Sequence, residues 1–256
     1  MLGLGLGSQP TTECQVFSST HSLALDGDGD YFTTGTELIS QLNTESCSIS
    51  FWVNMVENNG GTSQNIFKIF TDTDNQFQVI YHKYYTEWRA SIKTDGTARI
   101  ATYDIPGSSD DDGSGYADGW QHFAASFNVD GSTGAYKVKL YRNGTLVQNT
   151  SDTSGQNAWV GSINTVIIGS NQSGSGSFVD GHIDQFAFWS TELTSRAVGA
   201  IYNEGVMRDL TTLHQDYVFG PYLVGYYQFE DNALDSSKTA AHGTTSGNAT
   251  FVRTQP

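Results

Sequence analysis

The acidic side chains set the first chemical question in this chain. Asp184 stands in the run Gly181-His182-Ile183-Asp184-Gln185-Phe186-Ala187-Phe188-Trp189. In a strand, successive side chains point to opposite faces. Strict alternation predicts Asp184 on one face with Phe186 and Phe188, and Ile183, Gln185, Ala187 and Trp189 on the other. A carboxylate among phenylalanines is costly unless it binds a cation or receives hydrogen bonds. A second group, Asp26, Asp28 and Asp30 with Glu37, has the 1, 3, 5, 12 spacing of a helix-flanked calcium loop. Position 6 of that loop is Tyr31 in place of the glycine its sharp turn needs, and no helical pattern flanks it, so that geometry is not expected. Two readings stay open for Asp184: a structural Ca²⁺ shared with Asp28 and Asp30, or backbone N–H donors alone. Asp110, Asp111 and Asp112, in the loop 108–115, could take a cation, but a solvated acidic loop is the preferred reading.

Aromatic residues offer a different chemistry. Tyr81, His82, Tyr84, Tyr85 and Trp88 cluster around one hairpin, and Tyr103 and Tyr116 extend the group. Sugar rings stack on such side chains, although aromatics at strand spacing also build cores and interfaces. Tyr84, Tyr85 and Trp88 are the candidate carbohydrate contacts. At the N-terminus, Leu2, Leu4 and Leu6 alternate with glycines, so an extended arm places all three leucines on one side as a candidate assembly contact.

The elements that position these residues are almost all strands. Alternating runs occur at 48–53, 76–81, 87–92, 98–103, 121–128, 136–141, 165–168, 182–189 and 224–229. Asp130-Gly131, Thr94-Asp95-Gly96-Thr97 and Arg142-Asn143-Gly144-Thr145 mark turns, the last a tight Asn-Gly hairpin. One short helix is expected near 194–204, opened by Thr194 or Ser195, with Val198, Ile201 and Tyr202 as its apolar stripe and Gly205 closing it. Short strands with regular turns predict an all-β, two-sheet antiparallel sandwich.

Composition narrows the partners. Acidic residues outnumber basic ones 27 to 12, giving a formal charge of −15 in 256 residues. That balance disfavours nucleic acid, whose binding relies on Lys and Arg at phosphates, and disfavours anionic membranes. Cys14 and Cys47 are the only cysteines and form no disulfide framework; their pairing stays open. The glycine-interrupted N-terminus lacks the charge and apolar run of a signal peptide.

Several stretches together carry a family resemblance. Leu23-Ala24-Leu25-Asp26-Gly27-Asp28-Gly29-Asp30-Tyr31-Phe32 resembles the LxFDGxxDYV opening of laminin-G-like, concanavalin A-like jelly rolls. Ser48-Ile49-Ser50-Phe51-Trp52-Val53 is similar to the SISxWV strand, Gly119-Trp120-Gln121-His122-Phe123-Ala124 to GWHHVA, and Lys139-Leu140-Tyr141-Arg142-Asn143-Gly144 to LYVDG. Ile168-Gly169, the GxIDxxxxW run ending at Trp189 and an LTxxEIxxLYNxG-like helix follow in family order, over about residues 20 to 205. In the GWHHVA-like strand, His122 is expected to be a core histidine bonded to neighbouring backbone. The segment from Leu223 to Asn232, with Asp235-Ser236-Ser237 and His242-Gly243-Thr244, resembles the family's usual first strand and its DSSGNxxHGT loop, here placed last. The Leu/Gly alternation sets off an N-terminal arm over 1–19, and the resemblance implies a single jelly-roll sandwich over 20–256, with 206–256 a C-terminal return segment.

Glycosidases of this superfamily carry a Glu-x-Asp-x-x-Glu strand that sets an acid and a nucleophile about 5–5.5 Å apart. Glu57, Glu87, Glu192, Glu204 and Glu230 stand outside any such pattern, and no Ser–His–Asp, H-E-x-x-H or Walker arrangement occurs, so no enzyme is expected. A glycine/leucine start and a trailing LVGYYxFE…DSS segment are similar to virion structural proteins of marine tailed phages. That resemblance implies a capsid, tail or fibre component assembled in a host cytoplasm with other virion proteins and copies of itself. The alternative it leaves is a lectin-like module that binds surface polysaccharide.

Overall fold

The computed structural model describes residues 17–55, 63–82, 87–104, 119–129, 136–150, 158–171, 176–214 and 216–256. Strands are numbered along the chain. One antiparallel sheet runs β10 (Thr145–Asn149), β9 (Tyr136–Arg142), β8 (Gln121–Val129), β3 (Ser46–Met55), β12 (Asp180–Trp189), β1 (Ser22–Asp26) and β15 (Thr250–Val252), with β13 (Leu223–Tyr227) also on β12. The other runs β14 (Thr244–Ser246), β2 (Tyr31–Thr33), β11 (Thr165–Ile168), β4 (Ser63–Phe70), β5 (Gln76–His82), β6 (Glu87–Thr94) and β7 (Thr97–Asp104). The expected all-β sandwich is therefore what the chain forms. The return segment supplies β13 and β15 to the eight-stranded sheet and β14 to the seven-stranded one.

The inward halves of the alternating strands meet between the sheets. Phe67 on β4 packs against Phe186 and Phe188 on β12 at 5.6 and 5.5 Å, and Phe77 on β5 meets Phe127 on β8 at 4.9 Å. Burying each such ring stabilises the fold by roughly 1.5–3 kcal/mol before ordering costs. The Asn143-Gly144 hairpin forms as expected, with both residues at positive φ. A side chain at Gly144 would also run into Tyr202, 2.9 Å from where its Cβ would stand.

A second apolar layer covers the outer face of the eight-stranded sheet. Helix α2 (Ser195–Tyr202) starts at Thr194, whose hydroxyl accepts the Ala197 N–H, and Asn203 ends it in the left-handed region. Its buried stripe, Ala197, Val198 and Ile201, packs with Trp189, Tyr141, Leu210, Tyr217 and Tyr226. A single further helical turn, α1 (Thr36–Ile39), seats Leu38 in the main core and has no counterpart in the sequence expectation. Among the described residues, no helix is long and apolar enough to cross a membrane.

Candidate functional site

The predicted metal trio is not brought together. Asp26 is paired with Asp180 at one end of β1, and Asp184 lies four residues farther along β12, roughly 13 Å at strand rise. Asp30 turns back to that same end, where it accepts the N–H groups of Asp26 at 3.2 Å and Asn248 at 2.7 Å. Asp28 is exposed and donates its N–H to Asp26 Oδ1 at 2.9 Å. One ion cannot span that separation, so the shared Asp28–Asp30–Asp184 calcium site is corrected. Among the described residues, no cluster of three His, Cys, Asp or Glu is arranged to hold a metal.

The predicted face for Asp184 is corrected as well. Asp184 is paired with Trp52 and Ala187 with Ser50, so one extra residue of β12 sits opposite Phe51. This β-bulge, with Gln185 at φ +50°, resets the alternation. Ile183, Phe186 and Phe188 all enter the main core, while Asp184 shares the opposite face with Trp52. There it is wholly buried, accepting the Gln185 N–H at 2.7 Å and lying 2.9 Å from Ser19 Oγ. Burial pushes its pKa up to about 8, against the pull of these donors. Ser19 Oγ also lies 3.1 Å from the His21 carbonyl. The Ser19 hydroxyl, donating to Asp184 Oδ2, thus bridges the carboxyl and the His21 carbonyl. The carboxyl is an internal anchor that ties the chain entering β1 to the bulge.

His122 is buried as expected, but among the described residues neither ring nitrogen has a hydrogen-bond partner, which corrects the expected backbone bond. Burial lowers its pKa to about 3, so the ring is neutral. It lines a cavity of about 10 Å³ with Ser50, Gln185 and Arg208, room for a single water. Cys47 is a free, buried thiol whose pKa burial pushes up to about 12; Cys14 lies outside the described residues.

Of the candidate sugar contacts, Trp88 is in the core. It is 3% exposed, stacks on Phe123 at 3.9 Å and meets Tyr81 edge-on at 5.3 Å. The physical reason is strand parity: Trp88 points inward with Ala90 and Ile92, and Arg89 points out. Tyr84, Tyr85 and Tyr116 lie outside the described residues, as do Leu2, Leu4, Leu6 and the acidic loop 108–115. Tyr103 closes the sandwich edge, its hydroxyl accepting from Arg142 at 3.2 Å.

Where Trp88 turns in, its neighbours turn out. The ladder registers align Lys68, Gln78, Ser91 and Ile100 in one row across β4 to β7, and Asn65, Ile80, Arg89 and Thr102 in the next. Paired residues project to the same side, so these rows form the outer face of the seven-stranded sheet. Another bulge, at Ile66, sends Ile66 and Phe67 both into the core and leaves Asn65 outside. Asn65 Nδ2 donates to Gln78 Oε1 at 3.1 Å. Among the described residues, Asn65 Oδ1 and, two rows away beyond Gln78, Gln76 Oε1 are buried without partners, and the Gln78 amide group has no acceptor. Buried polar atoms are ordinarily satisfied, so unmet amide oxygens on either side of Gln78 make this face a candidate for a polar ligand. Ile100, 49% exposed, and half-buried Ile80 give apolar ground beside them. Sequence reasoning missed this site because polar residues at every second strand position read as a solvated face.

The family described as the concanavalin A-like lectin/glucanases superfamily, of the laminin G type, matches residues 26–199. The chain belongs to this superfamily. The match lies within the stretch over which the motifs aligned. No curated protein matches the sequence. Among solved structures, this laminin-G-like chain is similar to a candidate carbohydrate-binding protein from Bacteroides ovatus, at 14% identity and a TM-score of 0.55. That alignment covers 94% of the chain and 61% of the Bacteroides protein. The binding domain of botulinum neurotoxin serotype D is similar at 17% identity and a TM-score of 0.51, over 74% of the chain and 44% of that protein. At these identities the likeness is one of concanavalin A-like fold, and the chain spans less than two thirds of either protein.

Proposed function

We propose that this protein is a non-catalytic, lectin-like module that binds a glycan across the outer face of its seven-stranded sheet. The observation that carries the reading is the pair of unmet buried acceptors at Asn65 and Gln76, with the half-buried Gln78 amide between them. Sugar hydroxyls donate and accept at once and can bridge such atoms, while sugar C–H faces rest on Ile80 and Ile100. Four strands are roughly 14 Å across at 4.7–4.9 Å spacing, which suits an oligosaccharide. The superfamily's own description includes lectins, and the Bacteroides likeness agrees with that class.

The test is binding to an immobilised glycan panel by the wild type and by Gln78→Ala and Asn65→Ala. Loss of about tenfold or more in both folded variants is the expected result, one to two hydrogen bonds' worth. A blank panel at high protein concentration would contradict the reading. The virion role is a separate proposal, carried by the arm at Leu2, Leu4 and Leu6; no described geometry favours it.

A further inference from the structure

We propose that this face prefers anionic glycans, with Lys68 as the residue that receives a carboxylate or sulfate; the inference rests on the glycan-binding reading above. Lys68 stands on β4, inside the seven-stranded sheet, with Gln78 beside it on β5 and Ile167 on β11. It is 7% exposed, yet among the described residues it has no ion pair and no hydrogen bond. Lysines this buried are almost always paired. The contact it does make is with the Phe70 ring, 5.3 Å from Nζ.

Among the described residues, the surrounding charges leave that ammonium without a counter-ion. Lys93, also outward, is held by Asp74 at 2.8 Å, and Arg89 is paired with Glu87. Three of the chain's 12 Lys and Arg thus project from this face of a protein with a formal charge of −15. Burial first and the Lys93 charge second hold the Lys68 pKa below its ordinary 10.5. A bound oxyanion acts in the opposite direction, and the Gln78 amide and Asn65 oxygen beside it are placed for neutral hydroxyls of the same sugar. Uronic-type carboxylates and sulfate esters share the required chemistry: a compact anion on a polyhydroxylated ring.

Calorimetric titration of the full chain with three probes tests this: a neutral cello-oligosaccharide, an oligogalacturonate and a sulfated cello-oligosaccharide. An acidic probe should bind about tenfold tighter than the neutral one, and which of the two does so separates carboxylate from sulfate. Lys68→Met, which keeps the apolar stem, should erase that preference while leaving neutral binding unchanged, and Lys68→Arg should keep it. Acidic affinity in the wild type should also fall as pH rises through the depressed lysine pKa, with neutral affinity flat; this measurement decides the matter should Lys68→Met not fold. Equal affinity for neutral and acidic probes, or a flat acidic profile up to about pH 10.5, overturns the anionic preference and leaves glycan binding standing. Failure of all three probes overturns both.

Discussion

Where helix α2 covers it, the outer face of the eight-stranded sheet ties its aromatic and serine polar groups into a hydrogen-bonded chain, whereas the outer face of the seven-stranded sheet sets unmet amide oxygens beside a lysine with no ion pair among the described residues. On the covered face, Ser48 Oγ donates to the Thr191 carbonyl at 2.8 Å and accepts the Leu193 N–H at 2.9 Å. Trp189 Nε1 donates to the Tyr217 hydroxyl at 3.1 Å, which donates to the Leu210 carbonyl at 3.0 Å. The Tyr226 hydroxyl donates to Gln185 Oε1. His122, which borders a water-sized cavity, and Ser22, Ser126 and His182 keep unmet polar atoms there too, spread over β8, β1 and β12. On the other face, Asn65, Gln76, Gln78 and Lys68 have hydrogen-bonding capacity that the described residues do not meet. A fold protects its own polar groups where they serve stability; groups left open together point to a partner.

The comparison makes graded predictions. Trp88→Ala should cost the most, about 3–5 kcal/mol by urea unfolding, because it empties the contact between the sheets; a variant as stable as wild type would break the assignment of this ring to the core. Ile201→Ala, under the covering helix, should cost about 2–5 kcal/mol and leave glycan affinity unchanged in the folded fraction. A change in affinity would show that the two faces are not independent.

Asp184 gives a pH signature. Its folded pKa, about 8, is above the unfolded value of 3.8, so the folded state holds an extra proton between them. The contribution is fully present below the unfolded pKa and is lost as pH rises through the folded one. The slope reaches at most about 1.4 kcal/mol per pH unit for one proton. Denaturation curves from about pH 5 to 9 should show it in the wild type and not in Asp184→Asn. Parallel slopes would mean that the carboxyl is solvated. Smallest of all, Gln78→Ala should change stability by less than about 0.5 kcal/mol, since its side chain is half-buried and its one hydrogen bond is to the Asn65 amide. A larger loss would make the open face structural after all.

How much of this was readable in the sequence depended on where alternation held. β5, β6 and β11 follow period two without interruption and were placed to within two residues. β4 was missed because the Ile66 bulge sets two inward residues side by side and breaks the pattern. The same physics misassigned Asp184: its strand was evident, but an extra residue at Gln185 turned the phenylalanines to the other face. Trp88 was visible as an aromatic and misread as a platform, although the period-two rule already grouped it with Ala90 and Ile92. The open face needed cross-strand register, since Asn65, Gln78 and Ser91 are far apart in the chain and become neighbours through pairing alone.

The most direct measurement is a nuclear magnetic resonance titration of the isotopically labelled chain with a bound oligosaccharide, following backbone and side-chain amides. The account predicts that the Asn65, Gln76 and Gln78 side-chain amides and the β4–β7 backbone shift with saturation, while α2 and β13 stay in place. Shifts confined to the α2 side, or to the Asp26–Asp30 end of β1, would contradict it.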